Sequence, residues 1–321
     1  MGVNKNDIQD KGAYYLVQGD MVFDKNKEYS SPTDSNLSKG VSSKASILKQ
    51  RRTAFSVTIN NINIFLNPGM NTNWLNASRS AIARWNAVNS NLNLTEVFSA
   101  ASAHIQIMYD TQDPNQALAA NVFGAALPPT LNGLPGTITW INPDFSFPII
   151  CGQAITQNNR IANVQHELGH NLGLHHTNAI GEPLIPNTPS TDPGSLMNGG
   201  QACTISDFSN NDERAIQFLF PIPIPVLTPS SMTLNTQQPG GLFTVTGTGP
   251  VTVTLSGGAG IFLHDGIGGS FLTTLNLTAP TTFSAYGPSI GSPGYNGGIS
   301  YVTLSNPTSG IISSSTVYHS N

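Results

Sequence analysis

The stretch Val164-Gln-His-Glu-Leu-Gly-His-Asn-Leu-Gly-Leu-His-His-Thr-Asn178 holds the residues best spaced to do chemistry. His166 and His170 are four apart, so on a helix they share one face, and two imidazoles at that spacing can hold one tetrahedral zinc ion. Glu167 projects from the edge of that face, placed to work on a water held by the metal. Ile161, Val164, Leu168 and Leu172 fall on the opposite side, so one face is expected in the core and the other at the metal. Gly173 can take the left-handed conformation that ends a helix. The chain can then turn back and bring His176 round as a third ligand, leaving a fourth position open, as a catalytic zinc requires.

The spacing His-Glu-x-x-His-x-x-Gly-x-x-His fixes five positions, and a chance occurrence in a chain of 321 residues is on the order of one in ten thousand. The blander readings are a histidine-rich surface helix or a structural zinc site. A structural site gives no reason for a glutamate beside the first ligand. His175 has the wrong spacing for the pattern and is expected to be exposed or to lie just outside the ligand set.

The elements that must position these residues are legible around them. Phe55 to Phe65 alternates and is rich in β-branched residues, which predicts a strand or a hairpin around Asn60-Asn61. Trp74 to Val88 has apolar residues at helical spacing, with Asn71 or Thr72 as its cap. His104–Tyr109, Asn121–Leu127 and Thr137–Ile141 read as strands. A helix from about Asn159 carries the histidines, and a last one is expected from Ser209 to Phe220, ended by Pro221. Strands and helices in this order predict an α+β domain.

Charge divides the chain further. Nine of the 13 Lys and Arg residues lie in the first 52 positions, and after Pro221 only Asp265 is charged. Three pieces are expected: 1–52, 53–222 and 226–321. The first contains Ala13–Val17 and Gln18–Phe23, then a polar run from Ser30 to Gln50 that reads as a linker. It ends in Lys49-Gln50-Arg51-Arg52, a cluster expected to be exposed and open to a trypsin-like protease. The third piece follows the proline-rich Pro221–Pro225. Its short alternating runs (Phe243–Thr246, Val251–Leu255, Ile261–His264, Phe271–Leu277, Tyr301–Leu304) predict an all-β sandwich. His264-Asp265 reads as a turn.

Composition bounds the setting. Charged residues make up only 9% of the chain and Gly, Pro, Ser, Thr and Asn abound, which leans towards a secreted or cell-surface protein. The first residues lack the apolar core of a signal peptide, so that signal is expected to be missing from this sequence. No apolar run is long enough for a membrane span, and the net charge of -4 argues against nucleic acid. The two cysteines, Cys151 and Cys203, flank the histidine motif. They are either bridged, which would staple the site, or two separate buried thiols.

His166 to His176 matches the metzincin metallopeptidase motif at every fixed position. The chain most resembles the bacterial dual-action HEIGH metallopeptidases, relatives of astacins and matrixins. The resemblance rests on Tyr15–Asp20, Val164–Thr177 and Asp212–Pro221 and covers about residues 13–222. It implies a zincin-type catalytic domain, with a mixed twisted sheet and an active-site helix. It also implies a zinc-dependent endopeptidase acting on protein or peptide substrates, with His166, His170 and His176 as zinc ligands and Glu167 as general base. Met197, in Ser195-Leu-Met, is then expected to form the methionine turn beneath the metal. An astacin's Met turn is followed by a zinc-contacting tyrosine, whereas Asn198-Gly199-Gly200 follows here. The resemblance further implies an edge strand that binds extended substrate, for which Phe123-Gly124-Ala125-Ala126-Leu127 is the candidate; an interior strand is the other reading. Gln18-Gly19-Asp20 resembles the Phe-x-Gly-Asp motif of astacin propeptides, where an aspartate takes the open zinc position. Asp20 would then be a latch on a zymogen, released by cleavage near Arg51 or Arg52.

The competing function is a non-catalytic surface adhesin or carbohydrate-binding protein with a structural zinc, its contact made through the C-terminal piece. A host-directed toxin would share the protease chemistry and differ in substrate range. Calcium would suit a loop-rich exported domain, but no loop carries carboxylates at ligand spacing. A monomer is expected.

Overall fold

The computed structural model describes residues 5–26, 49–114, 116–179, 182–200, 203–204, 207–234, 240–257, 261–264, 272–287, 298–306 and 310–319. Most of the polar run 30–50, Phe271 and Asp265 lie outside the described residues. The chain divides into two compact units, Met1–Pro221 and Ile222–Asn321.

The first unit begins with strands β1 (Ile8–Asp10), β2 (Tyr14–Val17) and β3 (Met21–Asp24), followed by β4 (Arg51–Arg52) and β5 (Asn61–Leu66). Then come helix α1 (Thr72–Ala87), β6 (Asn93–Val97), β7 (Ile105–Tyr109), β8 (Gly124–Ala126) and β9 (Ile138–Ile141). Helices α2 (Phe147–Cys151) and α3 (Gln157–Asn171), the short β10 (Leu174–His175) and α4 (Asn210–Leu219) complete it. Strands pair in the order β1-β2-β3-β8-β9-β7-β5-β6. The β6-β5-β7-β9 part is parallel, β8 runs antiparallel to β9, and β3 lies parallel to β8.

Helix starts follow their capping residues. The Asn71 side chain accepts from Trp74 N at 3.1 Å and opens α1. Thr156 and Asn159 form a reciprocal capping box on α3, as Ser209 and Asp212 do on α4. The core lies between the sheet and the helices α1 and α3 and includes Ile62, Ile64, Ile105, Ile107, Trp85 and Leu168. Trp85 is fully buried, and its Nε1 donates to Gln165 O at 3.2 Å, fixing α1 against the helix that carries the histidines. At the end of α3, Asn171 Nδ2 donates to Leu127 O and Ile138 O at 2.8 and 2.9 Å, tying that helix to the chain beside β8 and β9.

Two local expectations are corrected. Residues 55–60 are not strand, so no hairpin forms at Asn60-Asn61; Asn61 instead begins β5, which pairs with β6 and β7, supplied by later segments. Lys49–Arg52 is not an exposed cluster. Gln50 is 1% exposed, Arg51 and Arg52 pair antiparallel with His175 and Leu174, and Arg51 donates to Thr177 O and Glu182 O. Composition suggested exposure, but the Gln50 and Arg51 side chains find polar partners far along the sequence.

The second unit is all-β. Strands β11 (Val226–Thr228), β12 (Ser231–Leu234), β13 (Gly240–Gly257), β14 (Phe262–His264), β15 (Thr274–Tyr286), β16 (Gly298–Asn306) and β17 (Gly310–His319) form one seven-stranded sheet. The runs Phe243–Thr246 and Val251–Leu255 belong to the single strand β13, whose register with β15 shifts between Val245 and Gly249. Phe243, Val245, Val251, Val253, Phe283 and Leu304 share its core.

Asp212 holds several chain segments together in the first unit. It is fully buried and accepts from Gln50 Nε2 (2.7 Å), Ser195 Oγ (2.5 Å), Leu196 N (2.7 Å) and Ser209 N (2.8 Å). Asp212→Ala leaves these donors without an acceptor and is expected to cost roughly 3 kcal/mol, against about 1 kcal/mol for Ser209→Ala. Urea denaturation of the two variants checks the order and the size.

Candidate metal centre

Helix α3 delivers His166, Glu167 and His170. It ends at Asn171, and Gly173, at φ +101°, makes the left-handed turn that a side chain would strain. The returning chain brings His176 to the same place. The three Nε2 atoms lie 3.1 Å (His166–His176), 3.1 Å (His166–His170) and 3.2 Å (His170–His176) apart.

Their tautomers follow from backbone partners. His166 Nδ1 donates to Leu196 O at 2.7 Å, and His170 Nδ1 donates to Leu174 O at 3.0 Å. A carbonyl oxygen can only accept, so His166 and His170 each carry a proton on Nδ1, and in the neutral, metal-binding form of each ring the Nε2 lone pair points inward. Lone pairs converging this closely repel unless a cation lies between them. A tetrahedral zinc with Zn–N bonds of about 2.0–2.1 Å separates its ligands by about 3.3 Å, so these residues fit that ion.

Asp20 comes from the turn between β2 and β3 and completes the group. One carboxylate oxygen lies 2.9 Å from His176 Nε2 and 3.5 Å from His166 Nε2; the other lies 3.7 Å from His170 Nε2. Ligand atoms of Asp20, His166, His170 and His176 all fall within 4.8 Å of one another. Burial works against the ionised Asp20, yet with protonated rings in place of a cation the His176 charge and the hydrogen bonds from His166 and His176 would hold its carboxyl below the usual range. Burial likewise opposes the charged His166 ring. In that protonated alternative the hydrogen bond to Asp20 and the Glu167 charge outweigh it and push the ring up to about 9. His170 is driven well below the ordinary value by burial and by His166.

Glu167 is 2% exposed, and its Oε2 has no hydrogen-bond partner. Burial raises its carboxyl well above the ordinary value, the His166 charge partly offsets this, and the Asp20 charge adds to it. A cavity of about 250 Å³ opens beside it, between Gln18-Gly19-Asp20 on one side and Asn163, His166 and Glu167 on another. Met197 is fully buried beneath α3, so close that a side chain at Gly169 would meet its Sδ at 2.6 Å. Asn198, the residue after Met197, accepts a hydrogen bond from the Thr177 hydroxyl.

The remaining sequence-level candidates fall as follows. Cys151 and Cys203 are disulfide-bonded. Gly124–Ala126 forms β8, with Phe123 and Leu127 flanking it, but β8 is not an edge strand, because β3 pairs with it. His175 is buried, not exposed. Neither of its ring nitrogens has a hydrogen-bond partner, and burial and the His176 charge lower it to about 3. It stands outside the ligand group. Sequence reasoning missed Leu196 and Leu174, which act through backbone carbonyls and carry no side-chain signal. It also missed Gln50, whose partners Asp192, Ser195 and Asp212 are at least 142 residues away.

Because three inward lone pairs define the site, His170→Ala is expected to weaken zinc binding by at least about 100-fold. Metal analysis after dialysis checks this. Adding a chelator to the unchanged chain is expected to lower its first thermal transition, since an ion bound only by the folded state stabilises it.

The family model for matrixin, a peptidase family, matches residues 49–220. No curated protein sequence matches the chain. Solved structures similar to it include that of myroilysin, at 14% identity over 53% of this chain and 97% of that one, with a TM-score of 0.33. The CsuC–CsuE chaperone–tip adhesion subunit pre-assembly complex from archaic Csu pili of Acinetobacter baumannii matches at 11% identity over 30% and 56%, TM-score 0.21. The E. coli chaperone DraB matches at 12% identity over 30% and 54%, TM-score 0.20. With its histidine group inside the matched region, the chain belongs to the matrixin family and is a metzincin-type zinc metallopeptidase.

Proposed function

We propose that this chain is a secreted zinc endopeptidase made as a zymogen, with Glu167 as its proton carrier and residues 5–26 as its inhibitory segment. The observation that carries the reading is the arrival of Asp20 at the three histidine Nε2 atoms while β3 lies along β8.

When bound by His166, His170 and His176, zinc supplies Lewis-acid chemistry, acidifying water and polarising a peptide carbonyl. Glu167 is the group placed to take a proton from the attacking water and give it to the leaving amine. Its unpartnered Oε2 is free for that contact. Leu196 O and Leu174 O keep His166 and His170 in the tautomer the metal needs. Strand β8 offers backbone groups to which an extended substrate can pair.

The N-terminal segment blocks both. Asp20 puts a carboxylate at the ligand group, and Ala126 N donates to Asp20 O at 2.9 Å, so one backbone group of β8 is already used. Leu16 and Val22 pack with Ala125, Leu127 and Trp140, which adds apolar burial to the hold. A processing cut consistent with this packing falls before Gln50, not at Arg51 or Arg52. The Cys151–Cys203 bridge supports an oxidising, exported location. The C-terminal unit is read as a β-sandwich, because residues from both sides of the register shift in β13 share one core.

Cutting the chain before Gln50 is expected to produce chelator-sensitive hydrolysis of a denatured protein. Glu167→Gln should lower that rate by roughly 10²–10⁴-fold while zinc stays bound; equal activity in the variant would remove Glu167 from the chemistry. Asp20→Ala should give the uncut chain measurable activity that still falls short of the cut form, because β3 remains on β8. An inert Asp20→Ala chain beside an active cut form would assign the block to the strand alone.

A further inference from the structure

The cavity beside the histidine group has walls of unequal strength. Ala162, Asn163, His166 and Glu167 come from α3, and Phe123 and Gly124 lie at β8, so these walls are held by long-range secondary structure. Gln18, Gly19 and Asp20 line the cavity from the N-terminal segment that the cut releases, and the remaining side includes Ile150 and Cys203. Ile150 belongs to α2, which has five residues and is too short to persist as a helix by itself.

Tertiary contacts hold the first turn of α2. Phe147 is 1% exposed, with ring centroids 5.6 Å from Phe123 and 5.9 Å from Phe145. Towards its other end this support thins. Ile149 is 84% exposed and Ile150 45% exposed, and Gly152 leaves the helix at φ +67°. Cys151 is half-buried against the main core, and its covalent bond to Cys203 fastens that end further. Ile150 therefore stands next to a covalent anchor, with one side of its apolar side chain towards the cavity.

We propose that the Cys151–Cys203 bridge is a positioning device for substrate binding, fixing Ile150 as the outer wall of the cavity beside Glu167. The proposal rests on the protease reading above. Without the bridge, the end of α2 can swing away and the cavity loses an apolar wall. The histidines are unaffected, because Leu196 O and Leu174 O hold His166 and His170. The consequence is weaker binding of a substrate side chain with the chemical step preserved.

The test uses the full chain cut before Gln50 and two peptide series in which each residue flanking the scissile bond is changed from Leu to Ala. Two variants are compared with the unchanged chain: the double substitution Cys151→Ser with Cys203→Ser, and Ile150→Ala. Both are expected to raise KM for the better Leu peptide roughly tenfold, leave kcat within about twofold and leave the zinc content unchanged, the pattern of lost uniform binding. Both should also narrow the preference for Leu over Ala. An unchanged KM in the double variant overturns the proposal, as does a loss of kcat and zinc together, which would make the bridge a general scaffold. If the double variant does not fold, Ile150→Ala decides alone, since it keeps the bridge, and an unchanged KM there overturns the proposal. Absence of any chelator-sensitive cleavage by the unchanged chain overturns the protease reading and this inference with it. Cleavage with KM insensitive to both variants overturns this inference only.

Discussion

Three imidazole lone pairs aimed at one point repel one another, and much of the first unit serves to hold them there. His166 and His170 gain their spacing from one helix, but helix geometry alone does not choose the tautomer or the ring angle. Backbone carbonyls do, at Leu196 and Leu174, and each is placed by a different segment. Gly173 then sets the direction in which the chain returns with His176. Each step works only if the previous one holds, which accounts for how much of α3 is buried: Val164, Leu168 and His170 are fully enclosed.

The same convergence explains how an N-terminal segment can occupy the site. A cluster that favours positive charge at its centre also favours a carboxylate at its rim, and Asp20 supplies one. Electrostatics alone would be a poor anchor for a tethered loop. The turn carrying Asp20 is backed by strands that extend the main sheet, and Val17, Met21 and Phe23 form a further buried cluster there. The carboxylate gives the segment its address and the strands give it most of its apolar contact. Removing either changes the balance without abolishing it.

How much of this was legible in the sequence depended on the range of the interaction. The histidine motif, the turn at Gly173 and the cap at Asn71 are local patterns, and they appear where the residues place them. Strand β7 and helix α4 were found within a residue or two for the same reason. Asp20 could be connected to the site only through resemblance, since nothing near it in sequence names its partners. The failures are all long-range. Edge and interior readings of β8 stayed open because the strand that covers it lies about a hundred residues earlier in the chain. Lys49–Arg52 read as exposed because the groups that bury Gln50 come from the far end of the unit. In the C-terminal unit, the glycines between Val245 and Gly249 read as a loop, yet they form an irregularity inside one continuous strand.

The Gln50 contacts also bear on where processing can fall. Asp212 accepts from Leu196 N, and the carbonyl of that same residue accepts from His166 Nδ1. Helix α4 is thus two hydrogen bonds from the first metal ligand. Gln50 enters this relay at its base, donating to Asp212, Asp192 and Ser195 through one amide nitrogen. A cut after Arg51 would take Gln50 away with the departing segment and leave a buried carboxylate short of a donor, one peptide unit from the residue that orients His166. A cut before Gln50 frees Asp20 and leaves the relay complete. The need to open the site and the need to keep His166 oriented therefore converge on one side of a single residue.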